Sequence, residues 1–497
     1  MADVRNLADL VRTAAQATPD KAALVGADRS LSWSELDREV DALAGALRSR
    51  GLVEGDRVGI LLPNGVDFAS IYFAVLRAGL VALPLNTAYT EPELRHQLDD
   101  SSAALVVTDE ERSSLVAAPT LVVSSADWAA ALTHEPVAAS SAGTEDLAVL
   151  LYTSGTTGRP KGAMLSHRAL LANLEQLSRI EPAVVAGDDV VLLVLPLFHV
   201  YGLNAGLGMT ARARATGVLA ERFDPVETLE LVRRHRVTNI IGAPPMYVAW
   251  SMLPELGEAM SALRLAVSGA APLPPEVLAA VHDATGHDIF EGYGLTETSP
   301  VLTTTLCSRT AKPGSIGRSI PGVQLRLVDE SGDEADADDP GEITVRGANV
   351  FSGYWPDGAG GADTDGWFRT GDIAYADSDG DLFLVDRLRE LILVSGFNVY
   401  PREVEDALLT HPDIAEVAVL GVPHPYTGET VKALVVAREG SSLDASDVIE
   451  HAADLLARFK CPTSVELVDE LPHSVTGKVA KGRLRETDDA ATSDATS

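Results

Sequence analysis

Cysteine is nearly missing from this chain: Cys307 and Cys461 are the two in 497 residues. They lie far apart and in no paired motif, which excludes a disulfide framework and a structural zinc site and fits a reducing compartment. Positive charge is also in short supply. Against 72 Asp and Glu stand 39 Lys and Arg, a formal net charge of −33. That balance argues against nonspecific binding to nucleic acid or an anionic membrane and points to a cytoplasmic protein. Lysine itself is confined to Lys21, Lys161, Lys312, Lys432, Lys460, Lys478 and Lys481, so a lysine inside a motif stands out. Long apolar runs are absent: the stretch 190–195 is among the longest and is far shorter than a membrane span. Residues 1–11 mix charges into an amphipathic helix and lack the apolar centre of a secretory signal.

What the chain does have is a run of hydroxyls, glycines and one lysine, Tyr152-Thr-Ser-Gly-Thr-Thr-Gly-Arg-Pro-Lys-Gly162. Gly155, Gly158 and Gly162 let the backbone bring N–H groups against anionic oxygens, Thr153, Ser154, Thr156 and Thr157 add hydroxyl donors, and Lys161 supplies charge. Residues 147–152 read as a buried strand and the run from Ser166 as a helix start, the strand-loop-helix setting expected of a phosphate loop. The spacing departs from the common nucleotide loop, which sets four free residues before Gly-Lys-Ser/Thr, so a kinase-like P-loop ATPase is disfavoured. A flexible surface loop is the alternative; it leaves the basic Arg-Pro-Lys end and the flanking elements unexplained.

A chain of 497 residues with 46% hydrophobic content can bury more than one core, so at least two domains are expected. Apolar runs at 58–62, 81–85 and 104–108 alternate with amphipathic helices over 68–76 and 91–99. The rhythm returns at 190–195, 239–242 and 263–268, with a helix over 275–285. This is an α/β pattern with two wound sheets. Between 315 and 375 the pattern changes to short strands (324–328, 342–346) split by glycines, as in a small antiparallel barrel or sheet, with the acidic stretch 329–339 as a solvated hairpin loop. Beyond 386 comes a compact α+β unit: a helix over 402–409, strands at 417–420 and 431–436, and a helix over 445–457. The domain boundary falls at 385–389, and the Asp/Ala/Thr/Ser-rich end, 486–497, reads as frayed.

Five further segments carry candidate chemistry, most of them with a plainer alternative. Ser268-Gly-Ala-Ala-Pro-Leu273, between a strand and a helix, gives Gly269, Ala270 and Ala271 against which a flat ligand can lie. In Glu291-Gly-Tyr-Gly-Leu-Thr-Glu-Thr298, Tyr293 could stack on a purine, Thr296 bond a phosphate and Glu297 hold magnesium; an ordinary turn with a core tyrosine is the other reading. Thr370-Gly-Asp372 puts a carboxylate on a tight turn, suited to ribose hydroxyls or merely solvated. Arg387, in Asp386-Arg-Leu-Arg389, could reach sugar or phosphate oxygens or belong to an exposed ion-pair cluster. Pro472-His-Ser-Val-Thr-Gly-Lys478 sets Lys478 after a flexible turn, able to neutralise phosphoryl charge or to sit on the surface like most lysines.

Together, and in this order, these segments resemble the adenylate-forming superfamily of acyl-CoA synthetases, nonribosomal-peptide adenylation domains and luciferases, and look most like bacterial fatty-acyl-CoA ligases. The resemblance rests on the 152–162 loop, Gly292-Tyr-Gly-Leu-Thr-Glu297, Thr370-Gly-Asp372, Arg387, Gly396-Phe-Asn-Val-Tyr-Pro401 and Gly477-Lys478, and spans nearly the whole chain. It implies a large N-terminal domain (1–385) of two α/β subdomains plus a distorted β-barrel, a hinge at 386–389, and a small mobile α+β C-terminal domain (390–497), with the active site between them. It implies ATP, Mg2+ and CoA as cofactors, and two half-reactions. A carboxylate attacks the α-phosphate of ATP to give an acyl-adenylate and pyrophosphate; a thiol then takes the acyl group with release of AMP. Lys478, Thr296 and Glu297 are the implied catalytic groups, with Glu297 on the metal.

The loop 153–158 with Lys161, together with Gly269, Ala270, Ala271, Glu291, Gly292, Tyr293, Gly294, Asp372 and Arg387, is implied to bind nucleotide, and Gly396, Phe397 and Lys432 to bind CoA. The family's hinge residue, usually aspartate or lysine, is Arg389 here. Rotation about it would withdraw Lys478 between the two steps. Lys478 also sits in a setting that resembles the site at which related synthetases are acetylated, which makes a lysine acetyltransferase an implied partner. A homodimer stays open.

The implied acyl pocket takes His199 from Pro196-Leu-Phe-His-Val-Tyr-Gly202, and Tyr247, Gly292, Gly294, Pro300 and Val301. As a lone residue, His199 reads equally as a core histidine. None of these carries a fixed charge. Malonyl-CoA synthetases, which resemble this chain, carry arginine where Gly292 stands, so dicarboxylic substrates are disfavoured. A medium- or long-chain fatty acid is the leading substrate, an aryl acid of cinnamate or benzoate type the second. An adenylating enzyme that loads a separate carrier protein is a third reading.

Overall fold

The computed structural model describes residues 4–136, 140–153, 160–308, 310, 312–329, 331–336, 339–387, 392–394, 397–424, 428–456, 458–473, 479–481 and 484. Contacts divide the chain into two compact units, Met1–Gln324 with Arg346–Phe368, and Leu325–Val345 with Arg369–Ser497.

The first unit is built on two sheets. One has the spatial order Thr120–Val122, Leu105–Thr108, Arg57–Leu61, Val81–Pro84, Leu147–Thr153, Lys161–Ser166, parallel until its last, antiparallel pair. The other runs Arg318–Ser319, Val301–Thr304, Ile289–Gly294, Leu265–Ser268, Asn239–Gly242, Val190–Leu193, Thr216–Leu219, Ala22–Val25, Ser30–Ser32. It is parallel through the middle and antiparallel at both ends. The parallel strands Val81–Pro84, Leu105–Thr108 and Leu265–Ser268 are buried along their whole length, because helices cover parallel strands on both faces. Val66–Arg77 is the matching helix: apart from Asp67 it is buried on every side, hence its near-continuous apolar sequence. Its one buried cation, Arg77, ends on Asp37 at 2.7 Å and Asp41 at 2.9 Å. Helix starts follow local chemistry, with capping boxes at Ser32 and Thr90 and an Asp224 cap on the Val226 and Glu227 amides.

The expected strand-loop-helix around the phosphate loop is corrected to strand-loop-strand-helix. Lys161–Ser166 is a strand antiparallel to Leu147–Thr153, with Thr153 opposite Lys161, and the helix His167–Leu177 begins only after Ser166, whose Oγ accepts from the Ala169 amide at 3.2 Å. Lys161-Gly-Ala-Met-Leu-Ser has no β-branched residue to announce a strand. Pairing on both sides imposes it, the second side being the segment 352–355.

In the second unit a four-stranded sheet runs Gln324–Val328, Gly341–Arg346, Phe368–Ala376, Leu382–Arg387. A second sheet orders Phe397–Val399, Ile392–Val394, Gly428–Ala437 and Ile414–His424, with Ser464–Leu467 parallel to Gly428–Ala437. The helices Pro401–Leu408 and Ala445–Leu455 place Val404, Leu408, Val448 and Ala452 in its core. Among the described residues no helix is long and apolar enough to cross a membrane.

Candidate active site

The two ends of the phosphate loop are pinned as cross-strand partners, Thr153 opposite Lys161 and Tyr152 opposite Gly162; Ser154, Gly155, Thr156, Thr157 and Gly158 lie outside the described residues. Below the loop, the Tyr152 hydroxyl donates to Asp100 Oδ2 at 2.5 Å, and the Trp355 indole donates to the Asp100 carbonyl at 3.0 Å. Lys161 is exposed, and its Nζ lies 5.5 Å from the centre of the Tyr354 ring. Among the described residues Lys161 has no carboxylate partner, unlike Lys432, Lys460 and Lys481, which lie on Glu466, Glu403 and Glu405. In a chain this acidic, an ammonium without a carboxylate is available to an anionic ligand.

Tyr354 joins this lysine to the second motif. Its hydroxyl donates to Glu297 Oε1 at 2.7 Å, and Glu297 is the middle residue of the short helical turn Thr296–Thr298 that follows the strand Ile289–Gly294. The Thr296 hydroxyl makes no hydrogen bond among the described residues, so it remains a donor for a ligand oxygen. Tyr354 was not singled out from the sequence, although its setting, Phe351-Ser-Gly-Tyr-Trp355, gathers three aromatics around a glycine.

Behind Glu297, buried amides hold the following backbone. Asn173 brackets Val301, accepting from its N–H at 3.2 Å and donating to its carbonyl at 2.8 Å. Asn204 donates to the Ser299 carbonyl at 2.7 Å and Asn349 to the Thr298 carbonyl at 2.9 Å, with Gln176 donating to Asn349 Oδ1 at 3.1 Å. All four amides are nine-tenths buried or more, and each carries a contact 50 or more residues away in sequence, which no local pattern reveals. Glu291 ties the other predicted segment to this one: its buried carboxylate accepts from the Leu273 amide at 3.1 Å, at the end of the Gly269, Ala270, Ala271 turn. Ala270 takes a left-handed φ of 74° there. Tyr293 faces Thr303, and Gly292 faces Thr304, across the antiparallel pair.

The acyl-pocket candidates divide into two kinds. His199 is half-buried against Phe198, ring centres 4.8 Å apart, and desolvation lowers its imidazole to about 4, so it is neutral near pH 7. Its Nε2 and the hydroxyl of Tyr201 are buried with no hydrogen-bond partner among the described residues. Burial pushes the Tyr201 phenol upward. Gly269 lies against the ring of Tyr201: an added Cβ would stand 2.9 Å from its oxygen. Tyr201 lies in the same segment as His199 and carries no sequence signal that sets it apart from a core aromatic. Tyr247 is fully buried, edge-on to Trp250, with its hydroxyl donating to the Val267 carbonyl at 2.9 Å. Pro300 and Val301 follow the turn that carries Glu297.

His167 behaves like His199: its Nδ1 accepts from the Leu7 amide at 3.1 Å and burial lowers it to about 4. Between the ordinary value of 6.5 and about 4, the unfolded chain binds protons that these two folded imidazoles refuse. Stability therefore falls as pH falls through that window, and neither group matters above it; each contributes roughly 3 kcal/mol once fully expressed. Denaturant titrations of wild type and His167→Gln from pH 7 to 5 should give the variant the shallower loss. Equal slopes would remove His167 as a source.

In the second unit Asp372 and Arg387, both implied by the resemblance to bind nucleotide, are direct cross-strand partners. Thr370-Gly-Asp372 is corrected from a tight turn to the interior of the strand Phe368–Ala376, broken by Gly371 at φ 78°. The buried Glu342 carboxylate accepts from the Gly371 amide at 3.0 Å and pairs with Arg369. Asp372 is 6% exposed, which excludes the solvated reading. Lys432 Nζ is 2.9 Å from Glu466 Oε2. Phe397 begins the strand Phe397–Val399; Arg389, Gly396 and Lys478 lie outside the described residues.

A wound α/β fold in which Lys161 meets no carboxylate among the described residues, and in which Tyr354 links that lysine to Glu297, suits an enzyme that handles an anionic nucleotide. Residues 11–355 match the AMP-binding enzyme family and residues 403–478 the AMP-binding enzyme C-terminal domain; the chain belongs to that family and is an ATP-dependent acid–CoA ligase. It is 34% identical to a long-chain-fatty-acid–CoA ligase of Bacillus subtilis, over 97% of this chain and 94% of that one. It is 38% identical to a feruloyl-CoA synthase of an Amycolatopsis species, over 95% and 96%. The crystal structure of ATP-bound MatB from Rhodopseudomonas palustris matches with a TM-score of 0.90 at 36% identity, over 97% of this chain and 99% of that one.

Proposed function

We propose that the acid activated is an apolar monocarboxylate, foremost a medium- or long-chain fatty acid, and that CoA is the free acceptor. The observation that carries this is the uncharged lining: His199 is neutral, and Gly292, Gly294, Pro300 and Val301 offer no cation to a second carboxylate. An aryl acid is the second reading, favoured by the buried Tyr201 hydroxyl, which has no partner among the described residues and could meet a ring substituent, and by the likeness to a feruloyl-CoA synthase. In the first step Lys161 and the 153–158 hydroxyls hold the β- and γ-phosphates, so pyrophosphate leaves from a fixed position. Thr296 donates to a phosphate oxygen, Lys478 neutralises charge that develops on the α-phosphate, and Asp372 with Arg387 takes the ribose.

Mg2+ suits the donor set: Glu297 gives one carboxylate, with Oε1 already fixed by Tyr354, and Mg2+ commonly takes one or two carboxylates with phosphates and water completing its shell. Bound with the nucleotide, it would offset phosphate charge. In the second step CoA takes the acyl group near Gly396 and Phe397; the Lys432 contact with Glu466 has to open if Lys432 is to serve CoA phosphates. A thiol-consumption assay across fatty, aryl and dicarboxylic acids, with pyrophosphate release followed with and without CoA, tests the reading. Preference for dicarboxylates would overturn the apolar pocket. Acid-dependent pyrophosphate release without thiol consumption would instead favour a carrier-protein acceptor.

A further inference from the structure

We propose that Tyr354 is a positioning residue for nucleotide activation: its hydroxyl aims the Glu297 carboxylate while its ring seats the Lys161 ammonium, so one side chain spaces the anionic and cationic ends of the phosphate site. The geometry is over-determined. The Tyr354 hydroxyl donates to Glu297 Oε1 at 2.7 Å, and Lys161 Nζ stands 5.5 Å from the ring centre, within the range of cation–π attraction. The backbone around Tyr354 is tied to both partners. Phe351 N–H donates to the Glu297 carbonyl at 2.9 Å, Trp355 N–H donates to the Gly162 carbonyl at 2.8 Å, and Tyr354 pairs with Ala163 as an antiparallel bridge. Phe351 closes the ring from the side, centres 5.1 Å apart and 77° between planes. The strand leaving the phosphate loop and the turn carrying Glu297 therefore meet at this residue.

A tyrosine needed only for packing would use its ring and leave its oxygen to water. Here the oxygen is committed to the carboxylate proposed to hold the metal, at one of that carboxylate's two oxygens, which leaves Oε2 for the ion. Partners that orient a metal ligand in this way typically change affinity or activity about 10- to 100-fold when removed. Tyr354→Phe keeps the ring, the contact with Phe351 and the cation–π contact, and deletes only the donor.

The assignment rests on the reading of Glu297 as the Mg2+ ligand, so the test reads the metal directly. Electron paramagnetic resonance titration of Mn2+ with ATP and enzyme, run beside the Mg2+ dependence of ATP–pyrophosphate exchange, should show Tyr354→Phe weakening Mn2+–ATP binding and raising the Mg2+ requirement about tenfold. Its melting temperature should stay near wild type. In a Glu297→Gln background the same change should add little, because Tyr354 acts through that carboxylate. An unchanged metal requirement in Tyr354→Phe, or a loss that adds in full to Glu297→Gln, overturns the proposal. If wild type itself binds no Mn2+–ATP, the reading of Glu297 fails and takes the proposal with it; wild-type binding with an indifferent Tyr354→Phe sinks Tyr354 alone.

Discussion

Lys478→Ala is expected to slow adenylate formation about 100- to 1000-fold, the usual loss when one preorganised donor is taken from a developing oxyanion. Transfer to CoA from supplied acyl-adenylate should stay largely intact, because the implied hinge rotation withdraws Lys478 before that step. The scarcity of lysine sharpens this expectation. Lys460 chelates both oxygens of Glu403 at 2.6 and 2.8 Å, Lys481 lies 2.7 Å from Glu405, and Lys21 donates to the Arg214 carbonyl at 2.8 Å. These are committed cations, so none of them can replace Lys478 without breaking an ion pair or a hydrogen bond. Lys161 has no carboxylate partner among the described residues, and its strand register sets it opposite Thr153 beside Tyr354. ATP–pyrophosphate exchange and thioester formation from synthetic adenylate, measured on the same preparation, separate the two half-reactions. Equal loss in both would contradict a role confined to the first. Acetylation of Lys478 erases the same charge and should reproduce the same split.

The parts of this molecule that could be read from its sequence are those whose cause is local. The runs 81–85, 104–108 and 239–242 are mostly apolar because both faces of a parallel strand are covered, and strands form over Val81–Pro84, Leu105–Thr108 and Asn239–Gly242. The helix predicted over 275–285 forms over those residues and ends at Gly286, whose φ of 75° suits glycine. Lys161–Ser166 was missed because its strand character comes from two neighbours, one of them nearly 200 residues away at 352–355. Thr-Gly-Asp reads as a turn, yet Gly371 breaks a strand whose register sets Asp372 against Arg387. Site residues follow the same division. Glu297 and Lys161 announce themselves by charge inside glycine-rich segments, whereas Tyr354, Tyr201 and the amides of Asn173, Asn204 and Asn349 act through contacts distant in sequence and look like ordinary core residues until the chain is folded.

Gly292 and Gly294 belong to one strand and one motif, but the structure sets them different tasks, and a pair of substitutions should expose the difference. A Cβ at Gly294 would stand 1.9 Å from the Pro300 carbonyl oxygen and 2.7 Å from its carbon. Those are backbone atoms held in place by Thr298 Oγ1, which donates to that carbonyl at 2.6 Å, and by the Asn173 bracket on Val301. Gly294→Ala must therefore push the strands apart and should lower the melting temperature together with activity on every acid. At Gly292 the nearest atom to an added Cβ is the Thr303 carbonyl oxygen at 3.3 Å, with the next at 3.9 Å. A side chain fits there after a small adjustment, so Gly292→Arg should leave thermal stability near wild type. It would instead place a guanidinium beside the uncharged acyl lining, and desolvating that charge against an alkyl chain should depress kcat/KM for apolar acids about 100-fold, or roughly 3 kcal/mol of transition-state binding. A dicarboxylic acid brings its own counter-charge to the arginine and should lose much less, so the ratio of the two substrates is the quantity to measure. If kcat/KM for apolar acids is unchanged in a folded Gly292→Arg enzyme, Gly292 does not face the acid; if Gly294→Ala and Gly292→Arg lose stability alike, the strand tolerates neither and the pocket has to be sought around His199 and Tyr201.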